Sequence, residues 1–264
     1  MNRRTFLKTL GLAGAAACAS APPAALAAAP DSRSGDQATL FDLSKCVGCG
    51  ACVEACREAN AGRYPEPKKP FPQMVPADRA KPEDWSDQRG VDDRLTPYNW
   101  LYVQHFTVEH QGKAVELHMP RRCMHCVNPP CANLCPWGAC AKEGDGAVAI
   151  SSDLCLGGAK CRTVCPWHTP QRQTGVGLYL DLLPAYAGNG VMFKCDRCAP
   201  RRAKGQPPAC IEACPMGVQS IGPRAEMVAR ARELARAMDG YIYGLDENGG
   251  TNTFYVSPVP FDLL

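Results

Sequence analysis

Cysteine spacing is the first chemical signal in the chain. Leaving Cys18 aside, fifteen of the sixteen other cysteines fall into four groups. Cys46, Cys49, Cys52 and Cys56 make a C-x2-C-x2-C-x3-C run. Cys123 and Cys126 lead to Cys131 and Cys135-Pro136. Cys155 and Cys161 lead to Cys165-Pro166, and Cys195 and Cys198 lead to Cys210 and Cys214-Pro215. Three thiolates on one short loop can reach three iron corners of a cubane cluster, and a fourth, three residues on, points to a second cluster. Gly48 and Gly50 let the loop backbone approach the cluster closely, and the proline after the last cysteine fixes the departing chain.

Other uses of cysteine fit less well. Disulfide frameworks suit small exported chains, but they do not repeat C-x2-C with C-x3-C-P. Zinc ribbons pair C-x2-C knuckles without the Cys-Pro step. Haem attachment needs C-x-x-C-H, and Cys126 is followed by Val127. Cys140 is left over, with a small buried hydrophobe as its ordinary reading. His125 and His168 lie inside the motifs and read as loop residues. Trp137 and Trp167, each two residues after a Cys-Pro cysteine, are expected to shield clusters from water.

Composition agrees with a metal-held fold. The 264 residues include 24 Pro and 24 Gly, and only 7% are aromatic. Such a loop-rich chain needs part of its stability from metal binding. Residues 1–27 hold three basic residues, Arg3, Arg4 and Lys8, and no acids. The remainder carries 26 residues of each sign, so nothing suggests a nucleic-acid partner. Basic residues nevertheless flank every motif: Lys45 and Arg57, Arg121 and Arg122, Lys160 and Arg162, and Lys194 with Arg197, Arg201 and Arg202. They read either as charge tuning or as solvated surface.

The elements that must position these motifs read as α+β. Residues 1–27 resemble a twin-arginine export signal, with Cys18 in the discarded part. Residues 61–98 are a Pro-rich insertion expected to pack on a partner or to cover a cluster. Residues 99–119 alternate as a hairpin turning near Gln111-Gly112. A second insertion, 171–190, includes a strongly apolar run from Gly175 to Gly188, read either as a docking patch or as buried core. Arg224 to Met238 reads as a helix ended by Gly240, and 241–245 with 251–257 as a closing hairpin.

The motif order and the stretch from Lys194 to Pro215 resemble the four-cluster electron-transfer subunits of the dimethyl sulfoxide reductase, formate dehydrogenase and hydrogenase-2 type, over residues 40–222. The resemblance implies two interleaved bacterial ferredoxin-like units. One is discontinuous, 40–60 with 190–222; the other spans 99–170 with its preceding hairpin; 223–264 follow as helix and hairpin. It also implies crossed ligation: Cys46, Cys49 and Cys52 with Cys214; Cys195, Cys198 and Cys210 with Cys56; Cys123, Cys126 and Cys131 with Cys165; Cys155 and Cys161 with Cys135.

The chain departs from the family pattern at Gly158, where a cysteine belongs. Three 4Fe-4S clusters and one 3Fe-4S cluster at Cys135, Cys155 and Cys161 are therefore expected. The rival is a fourth 4Fe-4S cluster completed by Cys140 or water. The implied role is a periplasmic relay, membrane-associated through its partners. Those partners would be a large catalytic subunit, of the molybdopterin or hydrogenase type, and/or a multihaem cytochrome, together with a quinone-interacting membrane subunit. A free-standing periplasmic ferredoxin is the alternative.

Overall fold

Strands from both ends of the chain meet in one sheet. A computed structural model describes residues 35–78, 80–185 and 189–264; the expected leader at 1–27 lies outside them. In chain order the strands are β1 (Gln37–Asp42), β2 (Tyr102–His110), β3 (Lys113–Arg121), β4 (Cys140–Lys142), β5 (Val148–Ile150), β6 (Gln171–Gln173), β7 (Val191–Phe193), β8 (Gln219–Pro223), β9 (Tyr241–Tyr243) and β10 (Thr253–Ser257). The helices are α1 (Ala51–Asn60), α2 (Pro130–Asn133), α3 (Lys160–Thr163), α4 (Leu178–Leu182), α5 (Ala199–Arg202), α6 (Ala209–Glu212) and α7 (Arg224–Ala237).

The main sheet has the order β8-β1-β10-β9. β1 runs parallel to β10, with Leu40 opposite Phe254, and antiparallel to β8. Period-two alternation sends Ala38 and Leu40 to one face, where they meet Met227, Ala231 and Ala235 of α7. On the other face Phe41 stacks on Tyr255 with ring centroids 4.8 Å apart. Leu40, Phe254 and Val256 are almost fully buried, and each such side chain contributes about 1.5–3 kcal/mol. This sheet ties the segment that leads into the first cysteine motif to the segment that follows the last.

Two expected devices are present with their physical causes visible. In the β2–β3 hairpin, Gln111 and Gly112 both have positive φ, the two-residue turn whose twist matches the strands. Helix α7 stops one residue earlier than expected. Asp239 takes the left-handed conformation, and the Gly240 N–H donates to the Ala235 carbonyl at 2.8 Å, closing a Schellman motif. Gly240 is needed for a different reason, since a Cβ there would lie 2.5 Å from the Ser257 carbonyl oxygen.

The Pro-rich insertion is anchored rather than loose. Glu83 receives both guanidinium nitrogens of Arg162 at 2.7 and 2.8 Å and also pairs with Arg172 at 2.8 Å. The Trp85 N–H donates to Gln173, and the Thr174 N–H to the Glu83 carbonyl. The insertion therefore lies against the third cysteine motif and β6. The apolar run after that motif is not simple core. Val176 packs inward, whereas Leu178, Leu182 and Leu183 are exposed. Among the described residues no helix is long and apolar enough to cross a membrane.

Candidate metal centres

The cysteine loops share one backbone device. The residue before the second cysteine position has positive φ in each: Gly48, His125, Gly157 and Arg197. The third residue after Cys135, Cys165 and Cys214 repeats it, at Gly138, His168 and Gly217. Left-handed residues at these places curl the loop so that its N–H groups face inward. The repetition puts Gly158 in the place held by Cys49, Cys126 and Cys198. A Cβ on Gly158 would meet nothing within 4 Å, so its missing side chain leaves open space.

Gly48 is required twice over. Its φ is +68°, and a Cβ would lie 2.9 Å from the His118 ring. Gly50 has φ +76° with nothing nearby, so only its backbone conformation is at stake. It caps the N-terminus of α1, which carries Cys52 and Cys56 one turn apart and so presents them on one face.

Folding gathers the thiols into four sets. Cys46, Cys49, Cys52 and Cys214 line one pocket. Cys123, Cys126, Cys131 and Cys165 line another. The charge of Cys56 is coupled to Cys195, Cys210 and Cys198, and that of Cys161 to Cys155, Cys131 and Cys135. Charge interactions also run between sets: Cys52 with Cys210, Cys123 with Cys195, and Cys131 with Cys161. These links order the sets in space. The Cys46 set comes first, then the Cys56 set, then the Cys123 set, then the Cys135 set; they are numbered centres 1 to 4 below.

The donor chemistry fits iron–sulfur clusters. Burial first, and then neighbouring thiols, push Cys52 up to about 12; Cys210, also buried and beside Cys195 and Cys198, reaches about 12 despite Arg122. Packed, buried thiols resist ionisation until cations arrive to hold them as thiolates. Among the described residues no three His, Cys, Asp or Glu close around a single ion. N–H groups already face the sulfurs: Val218 to Cys214 at 3.3 Å, Arg197 to Cys195 at 3.3 Å, Cys140 to Cys135 at 3.3 Å and Met192 to Cys155 at 3.4 Å.

Several side chains that the sequence left ambiguous now have places. Arg122, Lys194 and Arg197 are buried rather than solvated; the Arg197 guanidinium donates to the Gln37 and Asn252 carbonyls, and its backbone N–H faces Cys195. The Arg122 Nη1 donates to Cys210 Sγ at 3.5 Å, and Lys194 is bound to the Val148 and Cys195 carbonyls. Burial opposes the charge of Lys194, but Cys123, Cys140 and Cys131 win and raise its pKa. Four of the outer basic residues pair with acids, Lys45 with Asp42, Arg162 with Glu83, Arg201 with Glu212 and Arg202 with Glu143, whereas Arg57 donates to the Val91 and Arg89 carbonyls and Arg121 to Gln104. Asn60 and Asn248, unmarked in the sequence, donate to Cys56 and Cys126 at 3.7 and 3.3 Å. Cys140 is buried beside Cys131 in one hydrophobic cluster, and its thiol favours the ionised form of Cys131, lowering that pKa.

The two tryptophans part company. Trp167 is half-buried, donates to the Tyr243 hydroxyl at 2.8 Å and lines the cavity of centre 3. Trp137 is 64% exposed, so in this chain it does not seal centre 4 from water as expected. It stands instead on the outer surface beside it.

Two family models for 4Fe-4S dicluster domains match residues 45–139 and 114–224. Among relatives, a subunit of the anaerobic dimethyl sulfoxide reductase of Escherichia coli K12 is 30% identical over 74% of this chain and 78% of its own length. The chain belongs to this family of iron–sulfur electron-transfer subunits. Two further members are similar. The hydrogenase-2 operon protein HybA of E. coli O157:H7 is 29% identical over 100% of this chain and 83% of its own. The iron–sulfur subunit of nitrate-inducible formate dehydrogenase from E. coli K12 is 29% identical over 83% and 67%. A protein of Nitratidesulfovibrio vulgaris is 32% identical over 99% of this chain, which spans 65% of that relative.

Proposed function

We propose that this protein relays single electrons through four iron–sulfur clusters, between a catalytic oxidoreductase subunit and a membrane quinone-linked or haem partner. The observation that carries this reading is the gathering of fifteen motif cysteines into four sets linked in a line by Cys52–Cys210, Cys123–Cys195 and Cys131–Cys161. The ligands are the crossed sets named above: Cys46, Cys49, Cys52 and Cys214; Cys56, Cys195, Cys198 and Cys210; Cys123, Cys126, Cys131 and Cys165; and Cys135, Cys155 and Cys161. Centres 1 and 2 make one ferredoxin-like unit and centres 3 and 4 the other, interleaved in sequence.

The first three sets hold 4Fe-4S clusters and the last a 3Fe-4S cluster, because Gly158 offers no thiolate. Bound clusters supply the one-electron chemistry. The chain's own part is to hold the thiolates, exclude water and offset negative charge. Arg122, Lys194 and Arg197 do the last of these at the middle centres, where no solvent can.

Both terminal centres lie under exposed apolar side chains. Val47 and Met216 flank centre 1, where Cys49 is itself exposed; Leu134, Trp137 and Leu154 adjoin centre 4. Exposed apolar clusters of this kind suit partner contacts. Centre 1 is the port for one partner and centre 4, whose motif is followed in sequence by the exposed Leu178, Leu182 and Leu183, the port on the membrane side. The twin-arginine leader would export the folded protein to the periplasm, where its partners hold it at the membrane.

The test is isolation under anaerobic conditions of the protein with whatever co-purifies. About 15 iron ions per chain are expected, with a large catalytic subunit present. Iron for two clusters only, or a lone monomer with no associated subunit, would contradict this reading.

A further inference from the structure

His125 joins two centres. Its backbone sits in the loop between Cys123 and Cys126, the ligands proposed for centre 3, and its ring is fully buried. The Val148 N–H donates to Nδ1 at 2.9 Å. An accepting Nδ1 carries a lone pair, so the proton of the neutral ring must be on Nε2. That nitrogen lies 3.8 Å from Sγ of Cys195, a ligand of centre 2. The arrangement is rigid: Lys194 binds the carbonyl of the same Val148 whose N–H holds the ring. The positive φ of residue 125, 48°, aims a side chain from the loop of centre 3 towards the neighbouring centre.

We propose that His125 is a positioning residue of the relay: its Nε2–H donates to the Cys195 thiolate and so sets the reduction potential of centre 2 from within the loop of centre 3. A hydrogen bond to a cluster thiolate withdraws negative charge from it and favours the reduced state. The same contact gives a path of bonds and one hydrogen bond from Cys195 through the imidazole to the Cys123–Cys126 loop. It crosses the junction of the two ferredoxin-like units proposed above. The other donors at centre 2 do different work. Asn60 and the Arg197 backbone N–H lie in the unit of centre 2 itself, and Arg122, though it also reaches across, brings a full charge to Cys210.

The inference rests on the ligand sets proposed above. Its test uses the intact protein, or the complex in which it is isolated, labelled with nitrogen-15 histidine. Pulsed electron paramagnetic resonance of the reduced sample is expected to detect one weak histidine-nitrogen coupling, on the centre whose line shape changes in Cys195→Ser. His125→Asn tolerates the left-handed backbone but is too short to reach Cys195. It should abolish the coupling and shift the reduction equilibrium of that centre about tenfold towards the oxidised form, ~59 mV for one electron, leaving the other three in place.

No histidine coupling in the wild type would overturn the proposal without any variant having to fold. So would a coupling that survives His125→Asn, or a shift confined to the centre marked by Cys126→Ser. A wild-type preparation lacking the iron of centre 2 would instead contradict the ligand sets themselves.

Discussion

Gly158→Cys restores a thiol where the chain lacks one, and the structure sets out what it should cost and change. A new Cβ meets nothing within 4 Å, and the residue does not lie in the left-handed region. The substitution removes denatured-state freedom, a stabilisation of about 0.4–1 kcal/mol, and incurs no steric cost. The fourth thiolate should convert the three-thiolate site into a full cubane, raising iron from about 15 to about 16 per chain. It should also abolish the oxidised-state resonance of a 3Fe-4S centre and lower the potential of that centre. Iron analysis resolving a ~6% difference, combined with electron paramagnetic resonance of the air-protected oxidised protein, reads all three. Gly158→Ala is the control, filling the same space without a ligand. If the wild type shows no 3Fe-4S resonance and already contains the higher iron content, the reasoning from Gly158 fails, and Cys140 or solvent completes the site.

Gly48→Ala should cost at least about 1–2 kcal/mol from its backbone conformation, with further loss from the His118 contact, and should selectively deplete centre 1 in iron analysis; unchanged content would refute the cradle described for it. Glu83→Gln should cost roughly 1.5–3 kcal/mol and make residues 61–98 more sensitive to limited proteolysis. Burial would raise the Glu83 carboxyl, but Arg162 and Arg172 outweigh it and hold it below the ordinary range. Its stabilising contribution is therefore complete above a carboxylate's unfolded value of about 4.3 and fades as pH falls through the lower folded value. A wild-type anchor that loosens on acidification, with a variant indifferent over the same window, is the expected pair of profiles. Removal of iron should leave thiols such as Cys52 and Cys210 protonated at neutral pH, since both are pushed up to about 12. Reconstitution should then release protons and run faster at a pH of about 9 than at about 7; a flat rate would contradict the burial argument. Trp137→Ala should leave iron content and potentials unchanged and weaken partner association, measured by co-purification.

The cysteine motifs were legible because ligand spacing is a local property: each loop needs a fixed number of residues to curl around a cluster, and Gly48 announces one such curl directly; the crossing of ligands between motifs came only from the resemblance to a known family. The β2–β3 hairpin and α7 were legible from periodicity, with Gln111-Gly112 and Gly240 as punctuation. What escaped depends on contacts across long sequence separations. Nothing near Glu83 foretells Arg162 and Arg172, so the sequence did not say whether the Pro-rich insertion packs on a partner or which cysteine motif it lies against. His125 looked like a loop residue because its two partners, Val148 and Cys195, are 23 and 70 residues away. The fate of paired tryptophans in the same Cys-Pro-Trp context was not readable either. Trp167 finds Tyr243 from the C-terminal hairpin, whereas Trp137 is left on the surface.

Mössbauer spectroscopy of iron-57-labelled protein, oxidised and then stepwise reduced, tests the four-centre relay and its one unequal member most directly. The expected spectrum divides the iron about four to one between 4Fe-4S and 3Fe-4S components. Iron confined to a single 4Fe-4S component, or enough for only two clusters, would contradict it.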